Sequence, residues 1–141
     1  MRIFLLIGMI SGWLRNMSDF MRKDGWDMIE EIVQDFIKSK GIHAYLETPD
    51  EQPEEYVLIQ KTGSSRDHAV NGATIAIQSI ANSKFKAALL NEKIIKAMDT
   101  IIELDDICRC DLNSDYDYTD TQKKKYRYQA VFNIVYYDKE E

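Results

Sequence analysis

A chain of 141 residues, 45% hydrophobic and 30% charged, is long enough to bury a core in one domain without disulfides or metals to staple it. Its formal net charge of -6 excludes the usual binder of duplex DNA or RNA, which needs a basic face to release counterions from the phosphates. Two cysteines, Cys108 and Cys110, stand two apart, so on a regular strand both would point to one face, and a disulfide between them would be strained; a reduced compartment is the simpler expectation.

The first sixteen residues differ from the rest. Ile3 to Ile10 is an apolar run behind Arg2, too short to span a bilayer and without the small-residue pattern of a signal cleavage site. Met17 offers a second start, and residues 1–16 read as an extension from an upstream start, with a docking segment or an export signal as alternatives. Residues 17–141 read as a single domain.

From Asp24 the apolar residues fall at helical spacing: Met28, Ile29, Ile32, Val33, Phe36 and Ile37 form one stripe, with Asp24 or Asp27 to cap a helix near Trp26–Lys40 and Gly41 to end it. Ile42–Leu46 reads as a short strand. Glu47–Glu55 holds both prolines and five acidic residues, which makes it a solvated loop. Tyr56–Lys61 is apolar on both faces and is expected to be a central strand. Thr62–Gly72 reads as a polar connecting loop, and Ala73–Ala81 as a third strand. Ser83 caps a second helix near Lys84–Glu103, with Phe85, Ala88, Leu89, Ile95, Met98 and Ile102 expected on its buried stripe.

Two long strands close the chain, Ile107–Tyr116 and Tyr126–Tyr137. The second is an uninterrupted β-branched and aromatic run without Gly or Pro. At about 3.3 Å per residue it spans roughly 40 Å, against a radius of gyration of about 14 Å for a globule of this size. It should therefore outrun its own core, and another copy of the chain would cover what projects. The order α-β-β-β-α-β-β predicts an α+β fold: a single, mostly antiparallel sheet of about five strands with two helices packed on it.

No motif for chemistry survives inspection. Asp111, Asn113, Asp115 and Asp117 match the first four odd positions of a calcium loop, but Tyr116 stands where that loop needs Gly and Gln122 where it needs a bidentate Glu. Cys108 and Cys110 with His43 and His68 lack zinc spacing. Thr62–Gly72 has phosphate-binding residue types without a Gly-Lys-Ser/Thr motif or a following helix. No catalytic, cofactor or metal residue is assigned, and the chain is not expected to be an enzyme. A small hydrolase using His43 or His68 is the distant alternative.

Lys123, Lys124, Lys125 and Arg127 form the basic cluster, following Asp115, Asp117 and Asp120 within one hairpin, so the tip is segregated by sign. In a ring, acidic and basic stretches on neighbouring copies could pair and set register. Arg66 and His68, in the expected Thr62–Gly72 loop, complete the candidate interface residues, because loops on a rigid sheet are where recognition usually sits.

Four stretches together resemble a family: Tyr56-Val-Leu-Ile-Gln-Lys-Thr-Gly, Ala73-Thr-Ile-Ala-Ile-Gln-Ser-Ile-Ala, Asp111-Leu-Asn-Ser-Asp-Tyr-Asp-Tyr and Tyr126-Arg-Tyr-Gln-Ala-Val-Phe-Asn-Ile-Val-Tyr-Tyr. Their order and spacing are similar to the minor capsid or tail terminator proteins of long-tailed phages and prophages of Gram-positive bacteria, over roughly Met17 to Asp138. The resemblance implies a structural virion protein in the tail or neck, assembled in the host cytoplasm. It implies a homohexameric ring that caps the tail tube, joins it to the head connector protein and lets DNA pass through its lumen without sequence-specific binding, with no membrane partner. Another neck or head-tail connector component is the nearest alternative.

Overall fold

The computed structural model describes residues 28–68, 70–120, 122 and 125–137. Nearly all of them belong to one compact unit, Ile29–Asp138. The expectations for residues 1–16, for Trp26 and for Lys123 and Lys124 lie outside the described residues.

The elements run α1 (Ile29–Ser39), β1 (Ala44–Tyr45), β2 (Tyr56–Asp67), β3 (Val70–Ala81), α2 (Lys84–Met98), a 3-10 turn (Ile101–Glu103), β4 (Ile107–Asp117) and β5 (Tyr126–Tyr137). The α+β class and the predicted element order both hold. The sheet is ordered β1-β2-β3-β5-β4, with β1 parallel to β2 and every other pair antiparallel.

Of the expected α1 stripe, Ile29, Val33, Phe36 and Ile37 are buried and Ile32 is half-buried. Glu30 and Glu31 in its first turn and Lys38 in its last suit the helix dipole. Gly41, at φ +83°, takes the left-handed conformation that stops the helix. Met28, just ahead of α1, is 48% exposed.

Helix α2 starts where predicted, with the Ser83 hydroxyl accepting from the Lys86 N–H at 3.1 Å. Its buried face agrees with the predicted one only at Met98. Ala87, Leu90, Asn91, Ile94 and Met98 turn inward, while Phe85 (74%), Leu89 (47%) and Ile102 (55%) are exposed, and Ala88 and Ile95 are half-buried. The helix carries apolar residues on two adjoining stripes, about 100° apart for each position of offset, so spacing alone does not choose between them. The helix also ends at Met98 and not near Glu103; the chain tightens into the 3-10 turn, which buries Ile101.

Side chains alternate along each strand, which splits the sheet into two faces. Val57 and Ile59, Ala73, Ile75 and Ile77, and Ala130, Phe132 and Ile134 face the helices and join the inward residues of α1 and α2 in one core. Burying such a set is the main stabilising contribution, at about 25 cal/mol per Å² of apolar surface.

Two strand expectations need correction. The central strand is β3, not β2, because only the two residues of β1 lie beyond β2. Thr62–Gly72 is not a loop: β2 continues to Asp67 and β3 begins at Val70, paired through Gly63↔Thr74, Ser65↔Gly72 and Asp67↔Val70. The polar residues are strand because β3 offers them a ladder, and the turn is tight, with His68 at φ +60° between the paired Asp67 and Val70. A bulge between Lys61 and Gly63 absorbs Thr62.

Candidate assembly interface

Strand β5 spans its full predicted length but does not stand alone. It pairs with β3 from Ala81↔Tyr126 to Val70↔Tyr137, and with β4 from Ile107↔Tyr136 to Asp117↔Tyr128. The groups left open therefore belong to other strands. On one side of the sheet, β1 covers only Val57 and Leu58, so among the described residues β2 has no outer strand from Gln60 to Asp67 and each residue of that stretch is exposed. On the other side, β4 has no outer strand among the described residues, and most of it from Cys108 to Asp117 is exposed. Among the described residues the sheet thus has two strand edges without an outer partner, on its opposite sides.

The candidate residues fall at two ends of that sheet. Asp115, Asp117, Asp120, Lys125 and Arg127 lie at the β4–β5 hairpin, where an Asp120↔Lys125 bridge narrows the tip. Arg66 and His68 lie at the β2–β3 turn, at the opposite end of the strands. The fold does not bring the two groups together within one copy.

Arg127 is also not a tip charge. It lies half-buried on the face away from the helices, donating from a terminal guanidinium nitrogen to Gln78 Oε1 at 2.9 Å, while its Nε has no hydrogen-bond partner. Gln78 Nε2 donates to Gln129 Oε1 at 3.0 Å, and Gln129 Nε2 to the Tyr116 hydroxyl, so a polar ladder crosses β3, β5 and β4. Lys125 sits over the Tyr56 ring, 5.7 Å from its centroid. Burial raises the Tyr56 phenol above its ordinary pKa, with Arg127 opposing the shift.

At the hairpin mouth the Asp117 carboxylate accepts from the Thr119 hydroxyl at 2.6 Å and from its N–H at 3.0 Å, and pairs with Lys84 at 3.6 Å. The Thr119 hydrogen bonds, and then Lys84, hold this carboxyl below its usual pKa, which makes it a poor proton carrier at neutral pH. A hollow of about 320 Å³ beside the β2–β3 hairpin is lined by small polar side chains, Ser64, Ser65, Thr74 and Asn133 among them.

The cysteines do not share a face. A bulge between Ile107 and Arg109 sets Cys108 out of the alternation: it is exposed and beside the Tyr137 hydroxyl, whose pKa it raises, while Cys110 packs against the core. Burial, with Asp111 and Asp99 adding to it, pushes the Cys110 thiol up to about 12, so it remains a thiol. His43 precedes β1 and His68 closes the β2–β3 turn, across the sheet from both cysteines, and no group of three or more possible metal ligands occurs among the described residues. The calcium-like register Asp111–Asp117 lies in an extended edge strand, where its side chains diverge.

The sequence did not signal the exposed apolar pair Phe85 and Leu89 as surface, since their spacing is that of a core stripe. No protein-family model matches the chain, and no curated protein matches it.

Proposed function

We propose that this chain is a ring-forming structural protein of a phage or prophage tail, a tail terminator that caps the tail tube and joins it to the head connector. The observation that carries the reading is the pair of strand edges, Gln60–Asp67 and Ile107–Asp117, that have no outer strand among the described residues and lie on opposite sides of one sheet. A subunit with one such edge can close a dimer; a subunit with two can be repeated, each copy covering an edge of the next. The resemblance of four sequence stretches to tail terminators supplies the biological setting.

In this reading six copies close into a ring in the host cytoplasm and are carried into the virion. One ring face seats on the tail tube protein and the other is presented to the head connector protein. The net charge of -6 suits a lumen along which DNA slides, because an acidic wall does not trap phosphates. The chain's part is structural, and no residue is given a catalytic role.

The test is the mass of the purified full chain in solution, followed by electron microscopy of the protein mixed with phage tail tubes. The expected result is a species about six times the mass of the 16.4-kDa chain, seen as rings with an open centre and as caps on tube ends. A chain that stays monomeric at every concentration and leaves tube ends bare sinks the reading. Reversing Lys123, Lys124 and Lys125 to Glu should weaken attachment to tubes and make the remaining association less sensitive to salt, as losing the charges that steer a contact does.

A further inference from the structure

The two free edges fit each other. Across the sheet the strand directions alternate, β2 and β5 running one way, β3 and β4 the other. A second copy laid beside the first with its β2 against β4 therefore meets it antiparallel and continues the same alternation. Nothing has to be turned over, so the helices of both copies stay on one side.

The charges on the two edges share a spacing. On β2, Lys61 stands on the rung of Ile75 and Phe132, and Asp67 on the rung of Val70 and Tyr137, which is five rungs away along β3. On β4, Asp115 stands on the rung of Ala130 and Ile77, and Arg109 on the rung of Val135 and Gly72, also five rungs apart. Each edge has one bulge inside this interval, between Lys61 and Gly63 on β2 and between Leu112 and Ser114 on β4, so the two irregularities compensate. Lys61 and Asp115 lie on the helix-bearing face, on the rungs of Phe132 and Ala130. Asp67 and Arg109 lie on the opposite face, on the rungs of Tyr137 and Val135.

Sliding the second copy's β2 by two rungs toward the β4–β5 hairpin sets Lys61 against Asp115 and Asp67 against Arg109 in one movement. A slide of two keeps every side chain on its own face, where a slide of one would exchange the faces. A repeated stagger of this kind is also what a closed sheet requires.

We propose that copies of this chain join edge to edge, β4 of one to β2 of the next, with Lys61–Asp115 and Asp67–Arg109 fixing the register. The proposal rests on the ring reading above and names the seam of that ring. Pairing like edges lacks this match: two copies of β4 in full antiparallel overlap about Leu112 set Asp115 against Cys110 and Arg109 against Tyr116, with no opposite charges at either position. Arg109 now pairs with Asp111 at 2.6 Å and Asp67 with His68 at 3.5 Å; both pairs are exposed, so exchanging them costs little.

The test is a charge-swap cycle in the full chain, read by sedimentation velocity over a concentration series at low salt and at high salt. Lys61→Glu and Asp115→Lys, made singly, should each weaken self-association about tenfold or more, and the double variant should recover most of the loss. Arg109→Asp and Asp67→Arg should behave in the same way. Circular dichroism should be unchanged in all of them, because the four positions are exposed. If the parent forms rings and the single variants associate as it does, or the double variants recover nothing, the seam is overturned and the ring reading stands. If the parent forms open filaments that follow the swap pattern, the seam stands and the tail-capping reading falls. A parent that is a monomer or a closed dimer overturns both.

Discussion

Strand β5 and the outer half of β2 are neighbours of the same central strand, yet they are held by different forces. Ala130, Phe132 and Ile134 of β5 are buried under the helices, and its sequence alternates large apolar residues in a way that specifies a strand wherever it is placed. From Gln60 to Asp67, β2 is exposed throughout and reads Gln-Lys-Thr-Gly-Ser-Ser-Arg-Asp, a composition that elsewhere makes loops. One strand is made by its side chains, the other by the backbone ladder that β3 presents to it. The covered part of the sheet should therefore govern stability, and the bare part should be free to serve an interface.

The sharpest way to break this contrast is to place a carboxylate in each part. Ile77→Asp buries an unpaired charge at a fully enclosed position, and its cost of several kcal/mol rivals the whole stability of a small domain. We expect no soluble folded protein from it, whereas Ser64→Asp on the bare hairpin should shift stability by less than about 0.5 kcal/mol. Equal melting of the two variants by circular dichroism would end the distinction.

A smaller effect tests which face of α2 belongs to the covered part. Leu90→Ala should cost about 2–4 kcal/mol, as a buried leucine does, and Leu89→Ala, one position along and 47% exposed, less than about 1 kcal/mol. Urea denaturation of both decides it; the reverse ranking would return the core to the stripe that spacing suggests.

Within the bare hairpin, Gly72 is the one tight spot. A Cβ there would stand 2.7 Å from Ser65 Oγ on the paired strand. Gly72→Ala should cost about 1 kcal/mol, and most of that should return in a Ser65→Ala background, since the clash is with a single hydroxyl. A loss that persists in the double variant would place the strain in the backbone.

The smallest effect is local. The Asp117 carboxyl has a folded pKa below its unfolded one, so its contribution is present above the unfolded value, near pH 4, and is lost as pH falls through the folded value. Amide exchange at Thr119 should quicken over that window and be fast at every pH in Asp117→Ala, with global melting unchanged. A drop in overall stability there would mean that the hairpin mouth is part of the covered region.

The amino-acid sequence by itself determined the class and order of the elements. Gly41, Ser83 and the Tyr126–Tyr137 run act through their own backbone preferences, so helix ends, a cap and a long strand could be read directly from them. The inward face of α1 was equally legible, because its apolar residues form only one stripe. Tertiary structure decided what depends on a partner. It selected Leu90 and Ile94 over Leu89 and Ile95, because α2 offers two stripes and only the sheet chooses between them. It made a strand of Thr62–Asp67, whose residues pair only because β3 lies alongside, and it placed Arg127 against Gln78 on the face away from the helices. It also separated Arg66 and His68 from the acidic and basic hairpin, since the end of the sheet a turn occupies follows from strand pairing between distant segments. The candidate edges belong to this second kind: an edge is defined by the strand that is not beside it, and no local residue pattern encodes that.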